Sequence, residues 1–151
     1  MVGARIHRTA RGELALRLPE EERTLLRRIA ADTRARLRDD DPALRRLFPP
    51  AYEDAERERE YRELTRGQLA AGREQALELL QQTVDNPGLS PEEADSWLRA
   101  LNDVRLVLGT ELDVTEDLDW DALDPDDQRL PALAVYAYVS WIQEQLVEAL
   151  G

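Results

Sequence analysis

The chain has 151 residues, of which 42% are hydrophobic and 34% charged, with a formal net charge of −12. That balance suits one folded domain with its own core, and no apolar run reaches the roughly 18 to 20 residues that span a bilayer. With no cysteine, no lysine and a single histidine, His7, the chain lacks thiol chemistry, disulfides, cysteine-ligated zinc and Schiff-base catalysis, and cannot build a histidine triad or multi-histidine metal site alone.

The first element is a β-hairpin at about 4–18. Ile6, Leu14, Leu16 and Leu18 alternate with polar residues around Ala10-Arg11-Gly12. A hairpin alone is unstable in water, so this one is expected to lie on helices. The helical body, 19–151, begins at Pro19, which suits a first helical turn. Glu20, Glu21 and Glu22 favour the helix dipole, and Leu25, Leu26, Ile29, Ala30, Thr33 and Leu37 form one stripe. Asp39-Asp40-Asp41-Pro42 ends it. A short turn over 43–48 stops at Pro49-Pro50, and the charged stretch 52–63 reads as a solvated helix or mobile segment.

A second long helix, about 65–84, presents Leu69, Ala76, Leu77, Leu80 and Val84, and Asn86-Pro87-Gly88 breaks it. Ser90-Pro91-Glu92-Glu93 then carries an N-cap, a proline at the first helical position and the glutamate of a capping box. The helix it opens runs to about Leu108 with Ala94, Trp97, Leu98, Leu101, Val104 and Leu108 on one face. Leu106 and Val107 lie off that face, as expected of a central helix covered on several sides. An acidic connector, 109–129, leads to a last helix from Pro131 to Leu150. The expected fold class is mainly α: a bundle of about four to six helices with an N-terminal β-hairpin, in one domain over 1–151.

Charge is divided along the chain. Residues 1–73 hold 17 Arg against 14 acidic residues, a net of +3, and residues 74–151 hold 3 Arg against 18, a net of −15. The total disfavours nucleic acid at long range, so direct contact with it would be confined to the first half. There Arg23, Arg27, Arg34 and Arg38 line one helix flank, but acidic residues are interleaved and no stacking aromatics accompany them.

Asp117-Leu118-Asp119-Trp120-Asp121 has the spacing that opens an EF-hand loop. The required glycine is replaced by Ala122 and the bidentate glutamate by Gln128, so no calcium site is expected. Leu118 and Trp120 read instead as apolar anchors pinning a solvated acidic loop to the core, with one or the other buried beneath it. Asp117, Asp119, Trp120, Asp121, Asp126 and Asp127 are the candidate partner-binding residues. No carboxylate pair stands out for catalysis, and there is no phosphate loop or nucleophile elbow. Arg73 and Arg105 fall inside apolar stripes, where an arginine must snorkel or find a carboxylate. Both are expected to be buried structural charges, Arg105 paired with a carboxylate from another segment.

The stretch Trp97-Leu98-Arg99-Ala100-Leu101-Asn102-Asp103-Val104-Arg105-Leu106-Val107-Leu108-Gly109-Thr110 resembles the signature of the AosR-like actinobacterial family. That family is associated with oxidative-stress transcription and was formerly a domain of unknown function. Leu47-Phe48-Pro49-Pro50-Ala51-Tyr52 and the terminal 138–150 are similar to it too. The resemblance implies a cytoplasmic, non-enzymatic regulator acting by protein–protein interaction with an extracytoplasmic-function sigma factor, and an origin near the gene of the ClpS protease adaptor.

Regulatory members are associated with cysteine-based sensing, from which this cysteine-free chain departs. An oxidation signal would have to reach it through a partner, unless the fold is shared and the redox function is not. A carboxylate-based metal-dependent enzyme and an adaptor in ClpS-linked proteolysis stand as alternatives. No cofactor and no membrane association are expected, and a homodimer is left open.

Overall fold

The computed structural model describes residues 4–39, 72–115 and 117–151. The expected turn at 43–48, the polar stretch 52–63, the start of the second long helix and the family-like 44–52 lie outside them. Strands β1 (Ile6–Arg8) and β2 (Leu14–Leu16) pair antiparallel, with Ile6 opposite Leu16. The turn between them closes as Thr9 N–H donates to Glu13 O at 2.8 Å and Gly12 N–H to Thr9 O at 3.0 Å. Gly12 sits at φ +84, a conformation that side chains resist. Alternation along β2 then puts Leu14 and Leu16 in the core, followed by Leu18.

Helix α1 (Glu20–Asp39) follows, then α2, described over 72–83. The segment expected only to break α2 does more. Gly88–Leu89 forms β3, which pairs antiparallel with β2, so the hairpin becomes a three-stranded sheet of order β1-β2-β3. A Cβ on Gly88 would lie 3.0 Å from the Leu14 carbonyl oxygen, so a side chain there would press the two strands apart by a few tenths of an ångström.

Helix α3 (Pro91–Glu111) starts at a complete capping box. Glu93 N–H donates to Ser90 Oγ at 3.1 Å and Ser90 N–H to Glu93 Oε1 at 2.9 Å. It ends in a Schellman turn, with Val114 N–H donating to Gly109 O at 2.9 Å and Asp113 in the left-handed region at φ 54. Helix α4 (Leu130–Leu150) packs along α3 and against β1. The fold is therefore mainly α with an N-terminal β-hairpin, as the periodicities predict.

The core joins all these elements. Trp97 of α3 is fully buried with Leu101 and Val104, in one cluster with Leu26 of α1, Leu77 and Leu80 of α2, and Val139, Ile142 and Leu146 of α4. The indole N–H of Trp97 donates to Thr83 Oγ1 at 2.8 Å, and the Thr83 hydroxyl donates to Leu79 O at 2.7 Å. A buried indole is thus satisfied across the α2–α3 contact.

Candidate functional site

Residues 112–129 leave the core at the end of α3 and return to it at the start of α4. They hold eight of the 32 acidic residues and one arginine. That arginine closes the base of the loop. Arg129 Nη1 donates to Leu112 O at 2.7 Å, and Nη2 pairs with Asp127 Oδ2 at 2.9 Å. The loop is an Ω-type excursion, with ends tied together and a middle facing water.

Its aspartates divide into two sets. Asp119, Asp124 and Asp127 each accept the backbone N–H two residues on, from Asp121 at 3.1 Å, Asp126 at 2.9 Å and Arg129 at 2.8 Å. These are Asx turns: short side chains that replace the backbone bonds a tight bend cannot make. Asp119 so caps a 3-10 turn, Trp120–Ala122. The Arg129 side chain, helped by the Arg129 backbone N–H, holds the Asp127 carboxyl below its ordinary range. Asp117, Asp121 and Asp126 are exposed, and no described residue hydrogen-bonds or pairs with their carboxylates. Asp119 and Asp127 therefore shape the loop, while Asp117, Asp121 and Asp126 carry its outward charge.

The expectation of buried anchors beneath the loop is corrected. Trp120 is 43% exposed and Leu118 only half-buried. Trp120 instead stacks on Tyr136 of α4, ring centroids 6.0 Å apart and planes 17° from parallel. The rings are nearly parallel and offset, a contact that orients the indole without submerging it. Among the described residues no three Asp, Glu or His side chains converge as a metal site.

The two singled-out arginines part company. Arg73 is half-buried, with its side chain 28% exposed, rather than fully buried as expected; it pairs with Asp103 of α3, whose side chain is 3% exposed. Burial pushes the Asp103 carboxyl up to about 6, against the opposing pull of Arg73. Arg105 is half-buried and makes no hydrogen bond or ion pair with any described residue, contrary to the expected salt bridge. The buried arc of α3 runs through Trp97, Ala100, Asp103, Val104 and Val107. It is rotated away from the Leu98–Arg105 side, so Arg105 lies on the flank, where an arginine need not be paired.

The α1 arginines that could suggest a nucleic-acid face point to α2 and the loop after it. Arg23 Nε donates to Leu18 O at 2.8 Å, and its Nη1 reaches Val84 O and Asn86 O. Arg27 pairs with Asp85 at 2.6 Å, and Arg34 binds Gln81 Oε1 at 2.7 Å and Glu74 at 3.3 Å. The side chain of Arg38 lies outside the description. His7 is half-buried on β1 at the sheet edge.

A second polar cluster fixes the hairpin. Arg5 Nε donates to both Glu22 oxygens at 3.1 Å, and the Tyr138 hydroxyl donates to Glu22 Oε1 at 2.8 Å. The Arg5 guanidinium lies 5.6 Å from the centroid of the Trp141 ring. Gln145 Oε1 accepts the N–H groups of Arg5 and Ile6 at 2.6 and 3.1 Å, covering the free edge of β1. Burial and the bond to Glu22 push the Tyr138 hydroxyl above its ordinary range.

Sequence reasoning missed Tyr136 and Arg129, and took Arg23 for part of a possible nucleic-acid flank. For Arg129 a local signal existed, since Asp127-Gln128-Arg129 is an Asx turn ending at a helix start. Tyr136 had none, because its partner Trp120 is distant in sequence.

The fold and loop define a mainly helical module with a small N-terminal sheet and a tethered acidic loop. The chain belongs to the family described as a domain of unknown function (DUF2017), whose model matches residues 4–150. No curated protein and no solved structure matches it.

Proposed function

We propose that the protein is a non-enzymatic regulator that acts by binding a basic surface of a protein partner through the 112–129 loop. The observation that carries the reading is the exposed Trp120, stacked on Tyr136, in a loop whose Asp117, Asp121 and Asp126 carboxylates are exposed. An oriented aromatic with an acidic surround has the two parts of an interface: a residue whose burial slows dissociation, and a field that speeds encounter. The partner inferred from the AosR-like resemblance is an extracytoplasmic-function sigma factor in oxidative-stress transcription, in the cytoplasm. The DNA-contacting side of such a factor is basic, so the loop would compete with DNA for it.

The experiment is surface plasmon resonance against a purified extracytoplasmic-function sigma factor from the same organism. Asp117, Asp121 and Asp126 changed together to Asn should slow association and flatten its salt dependence. Trp120→Ala should speed dissociation by about tenfold, the effect of one anchor residue. Binding indifferent to salt and to both sets of changes would remove the loop from the mechanism. A melting series with calcium, magnesium and manganese tests the carboxylate-enzyme alternative, because an ion bound only by the folded state raises the melting temperature.

A further inference from the structure

Arg129 stands at the N-cap of α4, a position that helix electrostatics disfavours. The backbone dipole repels a cation there, and α4 has no acidic residue in its first turn and no side-chain cap. The guanidinium is satisfied across the loop instead. Its Nη1 donates at 2.7 Å to the carbonyl of Leu112, the C-cap of α3. Helix α3 has no basic residue in its own last turn, so Arg129 supplies the cation that the C-terminal end of α3 favours. Nε donates to the two Asp127 oxygens at 3.2 and 3.3 Å, and Nη2 to Asp127 Oδ2 at 2.9 Å. One side chain thus joins both ends of the loop to its final bend. Tyr136 lies seven residues further on, about two turns along the same face of α4, and stacks on Trp120 from the middle of the loop. The loop is therefore fastened to one face of α4 at two points.

We infer that Arg129 is the positioning residue of the 112–129 surface: by tying Leu112 to Asp127 it holds Trp120 and the exposed aspartates in the arrangement that a partner binds. The inference rests on the binding role proposed for this loop and adds how the loop is kept ready. A loop that must be ordered at each encounter loses affinity to that ordering, and a clamp at its base removes much of the loss beforehand. The charge of Arg129 gives the test its sign. Removing it makes the loop more acidic, so attraction to a basic surface alone predicts faster association and tighter binding. Loss of the clamp predicts the opposite.

The test uses the full chain with Arg129→Gln and Arg129→Lys. Each is followed by amide hydrogen exchange when free, and by surface plasmon resonance against the extracytoplasmic-function sigma factor. Lysine keeps the charge but lacks the planar fork that reaches Leu112 and Asp127 together. In Arg129→Gln the amides of 112–129 should exchange about tenfold faster while those of 5–18 keep their rates, and affinity should fall about tenfold although the loop is more acidic. Arg129→Lys should lie between Arg129→Gln and the unsubstituted chain. If loop exchange is unchanged, or if Arg129→Gln binds as tightly as the unsubstituted chain or more tightly, the inference is overturned; the loop reading survives where neutralising Asp117, Asp121 and Asp126 still slows association. If the hairpin amides accelerate as much as the loop amides, Arg129 supports the whole fold and not this surface, and the inference is overturned as well. If the unsubstituted chain does not bind, or if neither Arg129→Gln nor loop neutralisation alters binding, the loop reading and the inference fail together.

Discussion

The hairpin junction and the 112–129 loop are both rich in charged side chains, and they use them in opposite ways. At the junction, Arg5, Glu22, Tyr138 and Gln145 satisfy one another across three elements, and Arg5 and Glu22 are each 20% exposed. In the loop, Asp119, Asp124 and Asp127 satisfy nearby backbone while Asp117, Asp121 and Asp126 face water without a described partner. The difference teaches where function can reside. Charges that answer one another hold the fold, whereas charges left to solvent and repelling one another persist at a cost in stability that binding can offset.

The comparison sharpens when the fold-holding side is cut. Trp97→Ala, the deepest reference point, removes a fully buried indole and the donor to Thr83 Oγ1, and should cost about 3–5 kcal/mol in denaturant unfolding. Asp103 gives a pH signature. Its folded carboxyl titrates near 6 against 3.8 when free, so between those values the folded state holds a proton that the unfolded state has lost. Stability contributed by this group is therefore complete below pH 3.8 and declines as pH rises toward 6, by at most about 3 kcal/mol. Asp103→Asn should remove that decline from a stability profile taken between pH 4 and 7. Glu22→Ala leaves the Tyr138 hydroxyl and Arg5 without their shared acceptor and should cost about 1–3 kcal/mol, read as a lower melting temperature.

The loop side should behave otherwise. Replacing Asp117, Asp121 and Asp126 with Asn should change stability by no more than about 0.5 kcal/mol, since nothing in the fold depends on them. A loss comparable to Glu22→Ala would break the distinction. Asp119→Asn keeps an Asx acceptor and should be similarly mild, while Asp119→Ala loses the cap of the 3-10 turn and should loosen Trp120, visible in indole fluorescence anisotropy.

Features encoded by near neighbours were legible in the sequence. The capping box at Ser90–Glu93, the Gly12 turn and the helical stripes each depend on residues a few positions apart, and periodicity is enough to read them. Features that depend on distant partners were not. Strand β3 is two residues long and exists only because β2 lies beside it, so Asn86-Pro87-Gly88 reads as a breaker. Trp120 looks like a buried anchor until Tyr136, sixteen positions on, is seen to meet it at the surface. Arg73 and Arg105 look alike on a helical wheel, and only the rotation of α3 against its neighbours gives one a partner and leaves the other on the flank. The acidic loop was found as a candidate from composition, but the division of its aspartates into shaping and outward-facing sets needed the backbone bends.

Hydrogen exchange on the chain alone and mixed with the proposed sigma-factor partner tests most directly whether the loop, and not the junction, is the binding surface. The account predicts new amide protection over 112–129, with the hairpin amides of 5–18 unchanged. Protection confined to the hairpin or to the arginine flank of α1, with the loop exchanging as freely as before, would contradict it.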